Sequence, residues 1–358
     1  MPKPRISCEL HMCSLNFFNY FCFTFDSHGV GRKRDYSPVS WSDILDCDHI
    51  FRVYKSGVDG PVLVLLHGGG HSALSWAVFT ASMTSRVTCR VLAMDLRGHA
   101  NERVLKPVPL SLSATPLKCF FLFFRDVANV VKAIYGEIPP PLLLVGHSVG
   151  GAIAIHTASA NLIPSVVGLV VIDVVEGSAM DVLHSMQNFL RGRPKSFKSI
   201  DHAIEWSVKS GQIRNLESAK VSMVGQVRRY VVSVLSLVSP LWGLGLEACI
   251  PKRLSVYSWR IDLSKAEKYW DGWFRGISNL FLSCNVPKLL LLAGIDRLDR
   301  DLTIGQMQGK FMMQVLPPCG HAVHEDTPDK VIVFVPLLCS LCFVSAAPRG
   351  GATCPSSL

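Results

Sequence analysis

A serine framed by glycines at the end of an apolar run is the most restrictive feature of the chain. Leu142-Leu143-Leu144-Val145 runs directly into Gly146-His147-Ser148-Val149-Gly150, and Ala- and Ile-rich sequence follows to Ala160. The apolar run predicts a buried strand and the segment behind it a helix. Joining them through Gly-x-Ser-x-Gly forces a turn so tight that side chains two residues before and after the serine would collide with neighbouring backbone. Such a turn lifts the serine hydroxyl to the C-terminal edge of a sheet. It also aims the N–H of Val149 at the same point as the helix N-terminus. In a chain with 27 glycines the pentapeptide alone is a weak sign; its strand and helix make it specific.

The rest of the chain repeats that alternation. Residues 62–66 end at His67-Gly68-Gly69-Gly70-His71, 91–94 at Asp95-Leu96-Arg97-Gly98, 168–172 at Asp173, and 288–293 at Gly294-Ile295-Asp296. A weaker run, 311–316, precedes Pro317-Pro318-Cys319-Gly320-His321-Ala322-Val323-His324-Glu325. Helical segments are predicted at 72–85, 125–135 and 150–160. Strands apolar on both faces, separated by helices, predict an α/β fold: a mostly parallel sheet with helices on both faces. Between Val174 and Pro287 the alternation stops, and this stretch reads as a helical cap over the C-terminal edge of the sheet.

An exposed serine, a triple glycine and a histidine after the last strand point to acyl transfer. An ester carbonyl that becomes tetrahedral needs two fixed N–H donors for its oxyanion. Val149 supplies one, and either Gly69 or Gly70 the other. Of twelve histidines, His321 follows the last strand directly after Gly320 and is the favoured base, with His324 as its rival. His67 and His71 shape the glycine loop. Two acids compete to orient the base. Asp173 and Asp296 both end an apolar strand, and both preserve the order Ser, Asp, His; the residues alone leave the two open.

Composition excludes other classes. With 49% hydrophobic and 18% charged residues the chain is not disordered. Its net charge of +9 is spread out, and no basic run is long enough to predict nucleic-acid binding. Cys339-Ser340-Leu341-Cys342 lacks the further ligands of a zinc site, so no metal is expected. Cysteine usage fits a reducing compartment, cytoplasmic or nuclear. Residues 230–246 and 331–347 are uncharged but short and interrupted by proline, so a membrane span is not expected.

Longer blocks carry a resemblance. Phe51-Arg52-Val53-Tyr54-Lys55-Ser56-Gly57, residues 67–76, 172–177 and 205–227, Met186-Gln187-Asn188-Phe189-Leu190-Arg191-Gly192-Arg193-Pro194-Lys195, Glu267-Lys268-Tyr269-Trp270-Asp271-Gly272-Trp273-Phe274-Arg275-Gly276 and residues 319–326 resemble the protein phosphatase methylesterases of the α/β-hydrolase superfamily. The resemblance implies an α/β-hydrolase fold with the cap inserted after the sixth strand. It implies a serine carboxylesterase that needs no cofactor and demethylates the C-terminal leucine methyl ester of the protein phosphatase 2A catalytic subunit. Carried over residue by residue, Ser148 is the nucleophile, His321 the base and Asp173, rather than Asp296, the acid.

The resemblance lapses in four stretches, 7–25, 104–124, 230–258 and 331–358. Residues 51–330 are therefore expected to form the hydrolase domain, with the cap at about 174–287. Residues 1–50 are a poorly specified N-terminal segment without the family's early edge strand. An atypical apolar segment at 331–358 replaces the family's closing amphipathic helix. That replacement, close behind His321, also admits a non-catalytic phosphatase-binding regulator, and a general carboxylesterase or lipase is the enzymatic alternative.

Overall fold

The computed structural model describes residues 45–46, 51–99, 116–234, 252–295 and 298–346. The N-terminal half runs through β1 (Leu45–Asp46), β2 (Arg52–Ser56), β3 (Val62–Leu66), α1 (Ala77–Arg86), β4 (Arg90–Met94), α2 (Pro116–Tyr135), β5 (Leu142–His147), α3 (Val149–Ser159) and β6 (Val166–Ile172). After a long insertion come β10 (Lys288–Leu292), α9 (Arg300–Met307), β11 (Met312–Val315), α10 (Val323–Asp326) and α11 (Pro328–Ala346). The strands form one sheet in the order β1-β2-β4-β3-β5-β6-β10-β11. All pairings are parallel except β1–β2 and β2–β4 at the N-terminal edge.

Side-chain alternation explains why these strands are apolar throughout. Val62, Val64 and Leu66 face a core shared with α2 and α3, while Leu63 and Leu65 face a second core on the opposite side. Leu142 and Leu144 divide from Leu143 and Val145 in the same way. Period-two geometry sends successive residues to opposite faces, so a strand covered by helices on both sides has no polar position to spare.

The expectation of a purely helical cap is overturned. Between β6 and β10 lie α4 (Glu176–Gly192), β7 (Ser196–Phe197), α5 (Ile200–Ser210), α6 (Leu216–Gln226), β8 (Val227–Val234), β9 (Lys252–Trp259), α7 (Glu267–Phe274) and α8 (Ile277–Ser283). The three strands form a small antiparallel sheet in the order β7-β9-β8. Its neighbourhood has a core of its own, with Phe197, Ile204, Ile213 and Met223 buried together. Val227, Tyr230, Val231, Val232 and Val234 supply the β-branched and aromatic content that favours a strand.

The C-terminal expectation also changes. Residues 331–338, read as an atypical apolar segment, belong to α11. Val331, Ile332, Val335 and Leu338 are buried at i, i+1, i+4 and i+7 in the core that holds Leu63 and Leu65, while Val333 and Leu337 face outward. The stripe packs a helix onto the sheet although almost nothing on its outer side is charged, which hid its amphipathic character. The early edge strand judged absent is present in short form as β1. Among the described residues, no helix is long and apolar enough to cross a membrane. Most of 1–50, together with 104–115, 235–251 and 347–358, lies outside the described residues.

Candidate active site

Ser148 sits between β5 and α3 with φ 54 and ψ −123, a backbone conformation costly for any residue with a side chain. The two framing glycines make it possible. A Cβ on Gly146 would lie 2.3 Å from the Gly150 carbonyl oxygen, and one on Gly150 would lie 2.3 Å from that of Leu66. The Ser148 N–H donates to Ile172 O at 2.9 Å, which ties the turn to the end of β6.

The next residue after β6 is Asp173, also at positive φ. Its carboxylate is fully buried, and burial without partners would be costly. Asp173 Oδ1 accepts from Ala293 N at 2.9 Å, and Oδ2 lies 2.7 Å from His321 Nδ1. His321 stands in the loop after β11, half exposed, with its backbone oxygen accepting from His147 Nε2 at 2.9 Å. Asp326 steadies the same loop by accepting from the N–H groups of Gly320 and Arg214, both at 2.7 Å. The Arg214 guanidinium donates to Pro318 O.

Ser148 and His321 line one cavity of about 160 Å³, together with Gly69, Gly70 and Val149. His324 does not reach its wall. It is fully buried, its ring centroid 4.0 Å from that of Trp76, and burial drives its pKa well below the usual imidazole value. Asp296 lies outside the described residues.

The two glycine candidates are not equivalent. Gly70 N–H donates to His99 Nε2 at 3.1 Å. Gly69 N–H has no acceptor among the described residues, and neither does the N–H of Val149, the first residue of α3. A Cβ on Gly69 would lie 3.5 Å from Val149 Cγ2, so the glycine loop and the helix N-terminus adjoin. His67 holds this loop in shape: Nε2 accepts from Leu96 N at 2.9 Å, and Nδ1–H therefore donates to Gly68 O at 2.8 Å. Two adjacent N–H groups without acceptors, beside a serine raised at a helix N-terminus, can receive a developing oxyanion.

The insertion closes the cavity. Trp270, Trp273 and Phe274, at 7, 7 and 6% exposure, serve both as core and as cavity wall. Met186, Gln212, Gln226 and Leu263 also line it, and no motif marks them in the sequence. Arg193 lines it too, with its guanidinium 3.4 Å from the Trp259 ring centroid, and burial lowers its pKa to about 10. Beyond it a larger cavity of about 600 Å³ is lined by Leu190, Arg191, Lys195 and Asp262. Among the described residues no cluster of three or more His, Cys, Asp or Glu side chains could hold a metal ion.

Comparison with known proteins places the chain in a family. The model of the Alpha/beta hydrolase family matches residues 63–333. Protein phosphatase methylesterase 1 of Homo sapiens is 60% identical over 334 residues, covering 85% of this chain and 84% of its own. The Schizosaccharomyces pombe protein of that name is 42% identical, covering 76% and 72%. Among solved structures, a Mycobacterium tuberculosis esterase superposes with a TM-score of 0.55 at 20% identity, covering 81% of this chain and 89% of its own. The peroxisomal α/β-hydrolase Lpx1 of Saccharomyces cerevisiae gives 0.57 at 15%, covering 86% and 85%; both establish the fold alone. The chain therefore belongs to the protein phosphatase methylesterase family of α/β hydrolases and is a carboxylic-ester hydrolase.

Proposed function

We propose that the chain is a serine esterase that removes the methyl ester from the C-terminal leucine carboxylate of the protein phosphatase 2A catalytic subunit. The observation that carries the mechanism is the 2.7 Å contact between Asp173 and His321 in the wall of the cavity that holds Ser148. Identity with relatives that bear the protein phosphatase methylesterase name supports a phosphatase methyl ester as the substrate class, and the resemblance of the sequence blocks supports the finer choice.

In this reading Ser148 Oγ attacks the ester carbonyl while His321 Nε2 takes its proton. Asp173 holds the Nδ1–H tautomer and stabilises the imidazolium. The oxyanion rests on the N–H groups of Gly69 and Val149. Its collapse expels methanol, protonated by His321. Water then enters with His321 as base, and the free carboxylate leaves with Ser148 restored. Methanol offers little to recognise, so selectivity falls to the leucyl side chain, for which Trp270, Trp273 and Leu263 supply an apolar wall.

Ser148→Ala tests the reading. Methanol release from a methylated leucine-terminated peptide should fall by about 10⁴–10⁶-fold with the melting temperature unchanged. A variant within tenfold of the parent refutes it.

A further inference from the structure

The loop that carries His321 has little backbone bonding of its own. Pro317 and Pro318 have no N–H to donate, and the Cys319 N–H turns back to Leu316 O at 3.1 Å. Asp326 holds the loop from both sides of the base. Its Oδ2 accepts from Gly320 N at 2.7 Å, and its own N–H donates to Ala322 O at 2.8 Å. The residues immediately before and after His321 are thus tied to one aspartate.

The other oxygen of that carboxylate leads into the insertion. Oδ1 accepts from Arg214 N at 2.7 Å, and the Arg214 guanidinium donates to Pro318 O. Arg214 lies in the turn between α5 and α6, where both neighbours fix its position. Ile213 is buried in the insertion's own core. Asn215 caps α6 by accepting from Glu217 N and Ser218 N at 2.9 and 3.2 Å. The fit against the base loop is close: a Cβ on Gly320 would stand 3.1 Å from Asp326 Oδ2 and 3.3 Å from Arg214 Nε. The Asp326 side chain is only 2% exposed, so its carboxylate depends on these donors.

Asp326 and Arg214 stand outside the wall of the catalytic cavity. Whatever they contribute to turnover therefore passes through the loop and involves no contact with an ester. The path of that loop decides whether the His321 imidazole meets the Ser148 hydroxyl, and a misplacement of about 1 Å costs on the order of 10²-fold in rate.

We propose that Asp326 is a positioning residue for His321, and that through it the α5–α6 turn of the insertion fixes where the base stands. The insertion then does more than wall the cavity, because its own folded core sets the geometry of proton transfer. The assignment rests on the esterase reading, in which His321 is the base.

The test measures kcat and KM for p-nitrophenyl acetate, together with the melting temperature, for the full chain and its variants. Asp326→Asn keeps the shape of the side chain but sets an NH2 group against one of the two N–H donors. Its kcat should fall about 10–100-fold with KM within twofold of the parent. Arg214→Ala keeps its backbone N–H and loses the bond to Pro318 O, and kcat should fall about fivefold. Ser218→Ala is the control: its hydroxyl donates to Glu325 O at 2.7 Å, a buried tie between α6 and α10 that does not touch the residues flanking His321. It should lower the melting temperature and leave kcat within twofold. Parental kcat in Asp326→Asn overturns the proposal. So does a fall that Ser218→Ala matches, which marks a general structural role, or a loss carried by KM. If Asp326→Asn does not fold, Arg214→Ala decides, and parental kcat there overturns the link to the insertion. Ser148→Ala keeps the two claims apart: residual parental hydrolysis in that variant defeats the esterase reading, whereas its inactivity beside parental Asp326→Asn and Arg214→Ala defeats the positioning role alone.

Discussion

Replacing Gly146 by alanine tests how far catalysis depends on the geometry of the turn. A Cβ at this position would stand 2.3 Å from the Gly150 carbonyl oxygen and 2.6 Å from the Gly151 Cα, where ordinary contact begins near 3.4 Å. All the opposing atoms are backbone, so no side chain can swing aside. The end of β5 and the first turn of α3 must separate by about 1 Å, and Ser148 lies between them. A displacement of that size costs on the order of 10²-fold in rate through misalignment of the reacting atoms. Overpacking adds about 1–3 kcal/mol of destabilisation, or roughly 3–10 °C in a domain of this size. The assay is kcat/KM on a methylated leucine-terminated peptide together with thermal unfolding. Gly69→Ala is the matched control for the fold: its Cβ would meet only side-chain atoms, the nearest at 3.5 Å, and melting should stay within 2 °C of the parent. Gly146→Ala with parental turnover, or Gly69→Ala melting as low as Gly146→Ala, refutes the reasoning.

Asp173→Asn should reduce turnover by about 10⁴-fold while Asp296→Asn stays within tenfold, since only the acid beside His321 fixes its tautomer; the reverse ranking, measured under one condition, moves the acid. Arg191, exposed on the wall of the larger cavity, should act on the intact phosphatase alone: Arg191→Glu should lower kcat/KM on the methylated catalytic subunit at least fivefold and leave a short peptide ester unaffected. Parental efficiency on both substrates removes that contact, and parental chains that treat peptide and protein alike favour a general carboxylesterase. Folding stability should fall as pH drops from about 6.5 toward 4. Burial holds His99 and His156 at about 4 in the native chain, so the unfolded chain binds more protons across that window. A melting temperature flat from pH 7 to pH 4.5 contradicts this.

Much of this molecule is legible in its sequence because its information is local. Five consecutive residues around Ser148 dictate the turn, and the apolar runs ending at Leu66, Met94 and Ile172 declare a sheet covered on both faces. What stays hidden is relational. Asp173 and Asp296 present the same local pattern, and the contact with His321 that distinguishes Asp173 spans 148 residues. Gly69 and Gly70 are adjacent and chemically identical, yet His99, twenty-nine positions on, occupies one N–H and leaves the other. His321 and His324 are separated only by the direction the loop takes, which sends one to the cavity and the other against Trp76. The small sheet of the insertion went unrecognised because the uncharged stretch that holds Val231 to Val234 reads equally as helix, strand or span. The closing helix was obscured because its amphipathic stripe is set by burial, against an outer side that is itself apolar.

The insertion between β6 and β10 has a consequence for the order in which the molecule becomes competent. β6 and β10 are parallel neighbours, with Leu290 beside Val171, so the chain must complete the whole insertion and return to the opposite end of the sheet before that pairing exists. Closing the 119-residue separation between Val171 and Leu290 costs about 2 kcal/mol more in chain entropy than closing a roughly fifteen-residue turn. The elbow around Ser148 joins β5 directly to α3, with β3 beside them, and all three precede the insertion, whereas the meeting of Asp173 and His321 waits for β10, β11 and the loop beyond. Helical signal and a shaped serine turn therefore form early in refolding, and turnover comes last, making it a clock for the final topological step. A chain arrested before that step would carry a formed nucleophile turn with no base to activate it.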